Sequence, residues 1–215
     1  MRMFLAGGGG KDDSYLLDKR FLEEIGDITN PIIYIPVAME PQRYSRCFDW
    51  FCQTFSSLPQ HKIYMLTDLS LRPECSAVYI GGGDTVRLLR QIKENKFDEY
   101  LKELIFNRNV PVYGGSAGAI IFGQNILTAP EARSQNLSIK EAKGLGFLNF
   151  SVLCHYNYQP VEIRGLQEIL CIPERSGVFI NGDFLEVIGY EPSVYLKRKK
   201  SIQMPPKSRW KLSEL

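Results

Sequence analysis

Short apolar segments alternate with amphipathic segments along most of this chain, and this alternation constrains its fold more than any other feature. Residues 31–37 are continuously apolar, as in a strand that is covered on both faces. Residues 14–25 instead carry their apolar side chains at helical spacing. Strands that alternate with helices predict a mainly parallel sheet with helices on both faces, which is a three-layer α/β sandwich.

The same patterns place the remaining elements. Asn181-Gly182 between alternating residues predicts a β-hairpin over residues 178–185, and Asp84 can cap the helix that follows it. The remaining predicted strands are residues 3–6, 63–66, 77–80, 110–113, 152–154 and, at a sheet edge, 190–196. The remaining predicted helices are residues 44–55, 97–106, 117–122 and 161–170.

The composition is that of a folded globular protein. Hydrophobic residues make up 44% of the 215 residues and charged residues 23%, which excludes a disordered, fibrous or low-complexity chain. At roughly 150 residues per domain, we expect one domain over residues 1–215. The formal net charge is only +2, so we expect neither a nucleic-acid nor a membrane partner. The basic run at residues 197–200 predicts a solvated, loosely ordered tail over residues 197–215.

Cysteine and histidine usage narrows the class further. The five cysteines are odd in number and include no Cys-x-x-Cys pair, so we expect free thiols in a reducing cytoplasm. No apolar segment approaches the roughly 18 residues of a membrane-spanning helix, and the apolar run at the N-terminus is too short for a signal peptide. With only two histidines, a zinc site is not expected. These features predict a cytoplasmic monomer or homodimer without a metal.

Three glycine clusters each directly follow a predicted strand, at residues 7–10, 81–83 and 114–115. In an open parallel sheet, ligands bind at the carboxyl ends of the strands, where glycine lets the backbone approach them closely. One cluster would indicate no more than a tight turn, whereas three at one edge of a sheet favour a binding site. The dinucleotide fingerprint Gly-x-Gly-x-x-Gly and the phosphate-binding loop are both missing, which excludes a nucleotide site.

The segment Gly114-Gly115-Ser116-Ala117-Gly118 fits the pattern Gly-x-Ser-x-Gly. It follows a predicted strand and precedes a predicted helix, which is the setting of a nucleophile elbow. In such an elbow the Ser116 hydroxyl stands at the edge of the sheet, and the Ala117 N–H can stabilise an oxyanion. The alternative is a glycine-rich turn in which Ser116 only caps the helix.

A nucleophilic serine needs a base, and His155 is the only histidine that follows this motif. It ends a predicted strand, so we expect it at the same edge of the sheet as Ser116. Glu174, which lies between a predicted helix and a predicted strand, is the candidate carboxylate that orients the imidazole. Spacing alone leaves competitors for that role: Glu131, Glu162 and Asp183. The order Ser, His, acid differs from the order Ser, acid, His of the α/β-hydrolases.

These candidates lie in four segments whose sequences are familiar. Residues 80–85 read Ile-Gly-Gly-Gly-Asp-Thr, and residues 114–119 read Gly-Gly-Ser-Ala-Gly-Ala. Residues 144–156 begin with Gly-Leu-Gly and end with His155-Tyr156, and residues 172–174 read Ile-Pro-Glu. In motif and in order, the four segments resemble peptidase family S51, which contains the aspartyl dipeptidases (peptidase E) and the cyanophycinases.

The resemblance implies a fold and a set of site residues. The implied fold is class I glutamine amidotransferase-like, a flavodoxin-like sandwich, and the implied triad is Ser-His-Glu. Ser116 would be the nucleophile, His155 the base and Glu174 the residue that orients it. The implied oxyanion donors are the N–H groups of Gly82 or Gly83 and of Ala117. No cofactor is implied.

The segment after His155 is short and aromatic, whereas the aspartyl dipeptidases carry a longer, charged insertion there, with an arginine that recognises the substrate aspartate. The resemblance therefore implies cleavage of short peptides without fixing an aspartyl preference. The candidate substrate-binding residues are Asp84, Tyr156, Asn157 and Arg164. We predict a serine peptidase that acts through an acyl-enzyme intermediate. The alternatives are another acyl hydrolase, such as an esterase or a cyanophycinase-like isopeptidase, and a non-catalytic relative that binds a peptide or metabolite.

Overall fold

The computed structural model describes residues 1–163, 165–198 and 200–215, which form two β-sheets and six α-helices. In chain order the elements are β1 (Arg2–Ala6), α1 (Lys11–Ile25), β2 (Ile32–Ile35), α2 (Tyr44–Thr54), β3 (Ile63–Met65), β4 (Ala77–Ile80), α3 (Thr85–Glu94), α4 (Phe97–Lys102), β5 (Pro111–Gly115), α5 (Ala117–Ile120), α6 (Pro130–Ser134), β6 (Ser151–Leu153), β7 (Glu168–Cys171), β8 (Ser176–Asn181), β9 (Phe184–Gly189), β10 (Ser193–Lys197), β11 (Lys200–Met204) and β12 (Arg209–Lys211).

The main sheet has eight strands in the order β12-β9-β8-β1-β5-β4-β2-β3. Five neighbouring strands, β1, β5, β4, β2 and β3, are parallel to one another. The strands β8, β9 and β12 extend it with antiparallel pairing. The predicted hairpin is confirmed, because Asn181 pairs with Phe184 across the turn between β8 and β9. The carboxyl ends of the parallel strands therefore lie along one edge, as the glycine clusters predict.

Helices cover both faces of the main sheet, as expected for a three-layer sandwich. Strand β2 shows why its sequence is continuously apolar: successive side chains point to opposite faces, and both faces are buried. Ile32 and Tyr34 pack with α1 and α2 in a core that is rich in aromatic rings. Ile33 and Ile35 pack on the other face with residues of α3, α4 and α5. The α/β sandwich predicted from the sequence is the fold observed.

A second sheet, which the sequence did not predict, has four strands in the order β11-β10-β7-β6. Its inner side chains, such as Val152, Leu170 and Tyr195, join the core formed by α3 to α5. The predicted helix over residues 161–170 is wrong, because residues 168–171 are strand β7, which pairs with both β6 and β10. Cross-strand pairing has overridden the local helical spacing there.

The C-terminal residues also differ from the prediction. Strand β10 lies between β7 and β11 rather than at a sheet edge. The expected loose tail instead contains β11 and β12, and the side chains of Met204 and Leu215 are buried. The basic residues mark the solvent-facing side of paired strands, and charge alone does not reveal that pairing. Among the helices in the described parts of the chain, none is both long enough and apolar enough to cross a bilayer.

Candidate active site

Ser116 lies at a sharp turn between β5 and α5, as predicted for a nucleophile elbow. Its φ of 49° and ψ of −107° are strained for a residue with a side chain. Its N–H donates to the Ala6 carbonyl over 3.1 Å, and its own carbonyl accepts from the N–H groups of Ala119 and Ile120. A Cβ on Gly118 would lie 2.4 Å from the Ile80 carbonyl oxygen, so only glycine allows this helix to pack against β4.

His155 reaches Ser116 from the second sheet, and Glu174 contacts the far side of the His155 ring. His155 follows β6, and its Nε2 lies 2.8 Å from the Ser116 Oγ. Its Nδ1 lies 2.7 Å from the Oε1 of Glu174, which is a residue of the turn between β7 and β8. Both side chains are about half exposed, at 50% and 54%. The structure thus brings the three predicted residues into one continuous line of hydrogen bonds.

The competing carboxylates lie elsewhere. Asp183 is in the turn between β8 and β9, and Glu162 and Glu131 line cavities beside His155 without a hydrogen bond to its ring. Geometry therefore singles out Glu174, which sequence spacing could not.

The first glycine cluster holds the histidine in place, a role that the sequence did not reveal. The His155 N–H donates to the Gly7 carbonyl over 2.8 Å. Gly8 has a φ of +109°, and a Cβ there would lie 2.2 Å from the His155 Cε1. Only glycine leaves room for the imidazole at this position.

The predicted oxyanion donors surround the serine. A Cβ on Gly82 would lie 3.3 Å from the Ser116 Cβ, so the backbone of the second glycine cluster passes directly beside the nucleophile. Ala117 is the first residue of α5. Within the described residues, the N–H groups of Gly82, Gly83 and Ala117 donate to no backbone carbonyl. No backbone carbonyl therefore competes with a ligand for these N–H groups.

A cavity of about 440 Å³ opens beside the serine; we call it the aromatic cavity. Tyrosine rings from three parallel strands and a tryptophan from α2 form much of its wall, together with one arginine directly before α2 and one in its first turn. These lining residues are Tyr34, Tyr79, Tyr113, Trp50, Arg43 and Arg46. In the described chain neither arginine forms an ion pair, so both guanidinium groups are available to an anionic ligand. The sequence predicts a helix over residues 44–55 but not that this helix borders the site.

A buried carboxyl group lies behind this cavity. Asp18 of α1 is 6% exposed and accepts hydrogen bonds from the Tyr113 hydroxyl at 2.7 Å and the Ser14 hydroxyl at 2.8 Å. Burial raises the pKa of Asp18 to about 6, although both hydrogen bonds lower it. Ser14 and Tyr113 also line the aromatic cavity. Protonation of Asp18 therefore changes hydrogen bonds that residues of the cavity wall make.

A second cavity, of about 430 Å³, lies on the α5 and α6 side of the nucleophile. It shares only Gly83, Ser116 and His155 with the aromatic cavity. Thr128 and Glu131 line it. The reacting atoms therefore stand between two cavities, one on each side of the main sheet.

Of the predicted substrate-binding residues, Asp84, Tyr156 and Asn157 line neither of these two cavities. Asp84 caps α3 by accepting from the Arg87 N–H over 2.8 Å, which confirms its predicted capping role. Tyr156 and Asn157 line a separate cavity next to His155 that does not include Ser116. Arg164 lies outside the described residues.

Known proteins share this arrangement of motifs. The model of peptidase family S51 matches residues 3–189. The chain belongs to peptidase family S51. It is accordingly a serine-type peptidase, a hydrolase.

Relatives and a solved structure agree with this family. This S51 peptidase is 32% identical over 166 residues to the Bacillus subtilis (strain 168) protein named "Uncharacterized peptidase YgaJ". The alignment covers 73% of this chain and 70% of that protein. It is also 32% identical over 83 residues to the Drosophila melanogaster "Probable alpha-aspartyl dipeptidase". That alignment covers 39% of this chain and 34% of the relative. The crystal structure of a peptidase from an acI-B1 Actinobacterium covers 98% of this chain and 96% of that one with a TM-score of 0.76; at 19% identity it shows a shared fold.

Proposed function

We propose that this S51 peptidase hydrolyses short peptides through an acyl-enzyme intermediate, with Ser116, His155 and Glu174 as its catalytic triad. The observation that carries the proposal is the line of hydrogen bonds from the Ser116 Oγ through the imidazole to Glu174, with distances of 2.8 and 2.7 Å. A serine without a base is a poor nucleophile, and this geometry supplies both a base and a group that orients it.

The proposed mechanism assigns a residue to each step. The Ser116 Oγ attacks the peptide carbonyl while its proton passes to the His155 Nε2. The N–H groups of Gly82 or Gly83 and of Ala117 then stabilise the oxyanion. Collapse expels the leaving amine, which takes the proton from Nε2. Water, deprotonated by the same nitrogen, hydrolyses the ester and restores Ser116, while Glu174 holds the Nδ1–H throughout.

The aromatic cavity supports a preference for the residue on the acyl side. Arg43 and Arg46 give it positive charge, and its aromatic walls give it apolar area. A side chain that carries a carboxylate on a short apolar stem is complementary to both. The name of the Drosophila relative, an alpha-aspartyl dipeptidase, agrees with this choice. We therefore propose that the N-terminal residue of the substrate has an acidic side chain, which binds in the aromatic cavity.

The substitution Ser116→Ala tests the mechanism. We expect kcat on a dipeptide panel to fall by about four to six orders of magnitude, because only binding and the oxyanion donors remain. A serine-reactive phosphonate should label the wild-type protein at Ser116. Ser14→Ala is the matched control, since Ser14 lines the same cavity but hydrogen-bonds to Asp18 instead of a histidine. Turnover retained in Ser116→Ala would refute the proposed nucleophile.

The same panel separates the rival activities. Simple esters test for an esterase, and branched aspartyl-arginine substrates test for an isopeptidase. A protein that only binds peptides would show neither turnover nor covalent labelling. We expect dipeptides with a free N-terminus and an acidic first residue to be cleaved fastest.

A further inference from the structure

The second cavity contains polar atoms that nothing in the described chain satisfies. The Oε2 of Glu131 and the Oγ1 of Thr128 are both buried and have no hydrogen-bond partner. Thr128 as a whole is 0% exposed. Buried side-chain oxygens are normally paired, and an unpaired carboxylate oxygen is the more costly of the two to bury. Two such atoms in one cavity indicate that the partner is a ligand.

The nearby arginine does not neutralise this carboxylate. Arg133 also lines the cavity, but its NH1 donates to the carbonyls of Leu127 and Thr128, both over 2.7 Å. No ion pair joins Arg133 to Glu131 among the described residues. The negative charge of Glu131 is therefore available to a bound group.

The chemistry of these atoms defines the ligand. A carboxylate oxygen accepts hydrogen bonds, and a threonine hydroxyl can accept one as well. Their natural partner is a cationic group with several N–H donors, and a primary ammonium is compact enough to reach both. The cavity also includes Ser116 and His155, so a group bound there lies close to the scissile carbonyl.

We infer that Glu131, assisted by Thr128, binds the free α-ammonium group of the substrate's N-terminal residue. The inference rests on the proposed peptidase function and deepens it. The α-nitrogen is two bonds from the carbonyl carbon that Ser116 attacks, which matches a cavity that begins at the nucleophile. The side chain on the same α-carbon then enters the aromatic cavity on the other side of Ser116. A carboxylate in one cavity and two guanidinium groups in the other thus select an N-terminal residue that is cationic at its α-nitrogen and acidic in its side chain.

A binding experiment tests the site without turnover. Aspartyl-leucine and succinyl-leucine differ only in the α-ammonium group, and both can be titrated calorimetrically into the Ser116→Ala protein. We expect aspartyl-leucine to bind about 10- to 100-fold more tightly, as for a charge-assisted hydrogen bond. Adding Glu131→Gln should remove that difference. Equal affinities in Ser116→Ala, or no measurable binding of either peptide, overturn the inference.

Turnover supplies the second arm, with Ser116 intact. Glu131→Gln should lower kcat/KM for aspartyl-leucine by about 10- to 100-fold and leave the slow hydrolysis of succinyl-leucine unchanged. Glu162→Gln is the matched control, because Glu162 lines only cavities that exclude Ser116. An equal loss on both peptides indicates a structural role for Glu131 and overturns the inference. Thermal unfolding of Glu131→Gln checks that the fold is kept.

The two proposals fail in different ways. Absence of any Ser116-dependent hydrolysis would refute the proposed function, whereas the binding difference between the two peptides would still support an ammonium site. Conversely, Ser116-dependent cleavage at equal rates with and without the α-ammonium would refute only the ammonium site. Thr128→Val provides an independent check. It should weaken aspartyl-leucine binding about 3- to 10-fold without lowering Tm, because the hydroxyl it removes has no partner in the protein.

Discussion

At the scale of single residues, the site depends on backbone conformations that most side chains avoid. Ser116 and His155 both have positive φ angles, of 49° and 54°, although neither is a glycine. Such residues cost about 1–3 kcal/mol each and persist only where neighbouring contacts hold them. The contacts come from one place: the Ala6 carbonyl accepts from Ser116 and the Gly7 carbonyl accepts from His155. The end of β1 therefore holds nucleophile and base together.

Gly8 allows a prediction at this scale. Gly8→Ala places a methyl group 2.2 Å from the present position of the His155 Cε1, so the imidazole has to move. A displacement of about 1 Å at a reacting group lowers the rate by roughly 100-fold, and we expect a loss of kcat/KM of at least that size. Steady-state kinetics on the best dipeptide measures it.

Gly10→Ala is the control for this prediction. Its φ is −94°, and a Cβ there would be 3.7 Å from the nearest atom, so it should leave kcat/KM within about twofold. Normal kinetics in Gly8→Ala would mean that the imidazole is not held by the glycine. A cooperative unfolding transition in both variants shows that the fold is intact.

At the scale of elements, Asp18 joins α1 to β5 through the Tyr113 hydroxyl. Burial raises the pKa of Asp18 to about 6, so the folded protein still binds a proton that the unfolded chain releases near the ordinary aspartate pKa of about 3.8. Asp18 therefore stabilises the fold fully below about pH 4, and this contribution is lost as the pH rises to about 6. The shift corresponds to about 3 kcal/mol.

Replacing the carboxyl group tests this coupling. In the wild-type protein, Asp18 should make the free energy of unfolding decrease between pH 4 and pH 6. In Asp18→Asn this decrease should disappear, as measured by urea denaturation at each pH. Asp12→Asn, an exposed position of the same helix, should keep the wild-type pH dependence. A wild-type slope that persists in Asp18→Asn would contradict the assignment to Asp18.

The elements also show what the sequence can and cannot predict. The inner parallel strands β1, β2, β4 and β5 were predictable because each is a short, largely apolar segment buried on both faces. Ser116 was predictable because its elbow needs a strand, glycines and a helix in order. The sequence predicts a helix as far as residue 170 because Ile169 and Leu170 fit either periodicity, and only the pairing of β7 with β6 and β10 shows that these residues form a strand. Glu174 remained one of four candidates because the orientation of a turn depends on two distant strands. The unpaired oxygens of Thr128 and Glu131 have no sequence signal at all, since burial without a partner is a property of the folded chain.

At the scale of the whole molecule, the candidate triad lies where the two sheets meet. Ser116 follows a strand of the main sheet, His155 follows a strand of the second sheet, and Glu174 lies between β7 and β8, which belong to different sheets. The C-terminal segment also joins the two sheets, because β11 is an edge strand of the second sheet and β12 an edge strand of the main sheet. The spacing between serine and histidine thus depends on how firmly the sheets are joined.

Deletion of residues 206–215 tests this dependence. The truncation keeps β11 and its buried Met204 but removes β12, with the packing of Trp210 and Leu215. Loss of those two contacts should lower the free energy of unfolding by roughly 3 kcal/mol, which for a chain of this size corresponds to a Tm lower by about 6 to 12 °C. We expect kcat/KM to fall about tenfold or more at a temperature where the truncated protein is still folded, because the sheets are free to shift. Lys211→Ala, which removes a basic charge but keeps the strand, should leave both quantities close to those of the full chain. A truncated protein with unchanged Tm and kcat/KM would show that β12 does not hold the two sheets together.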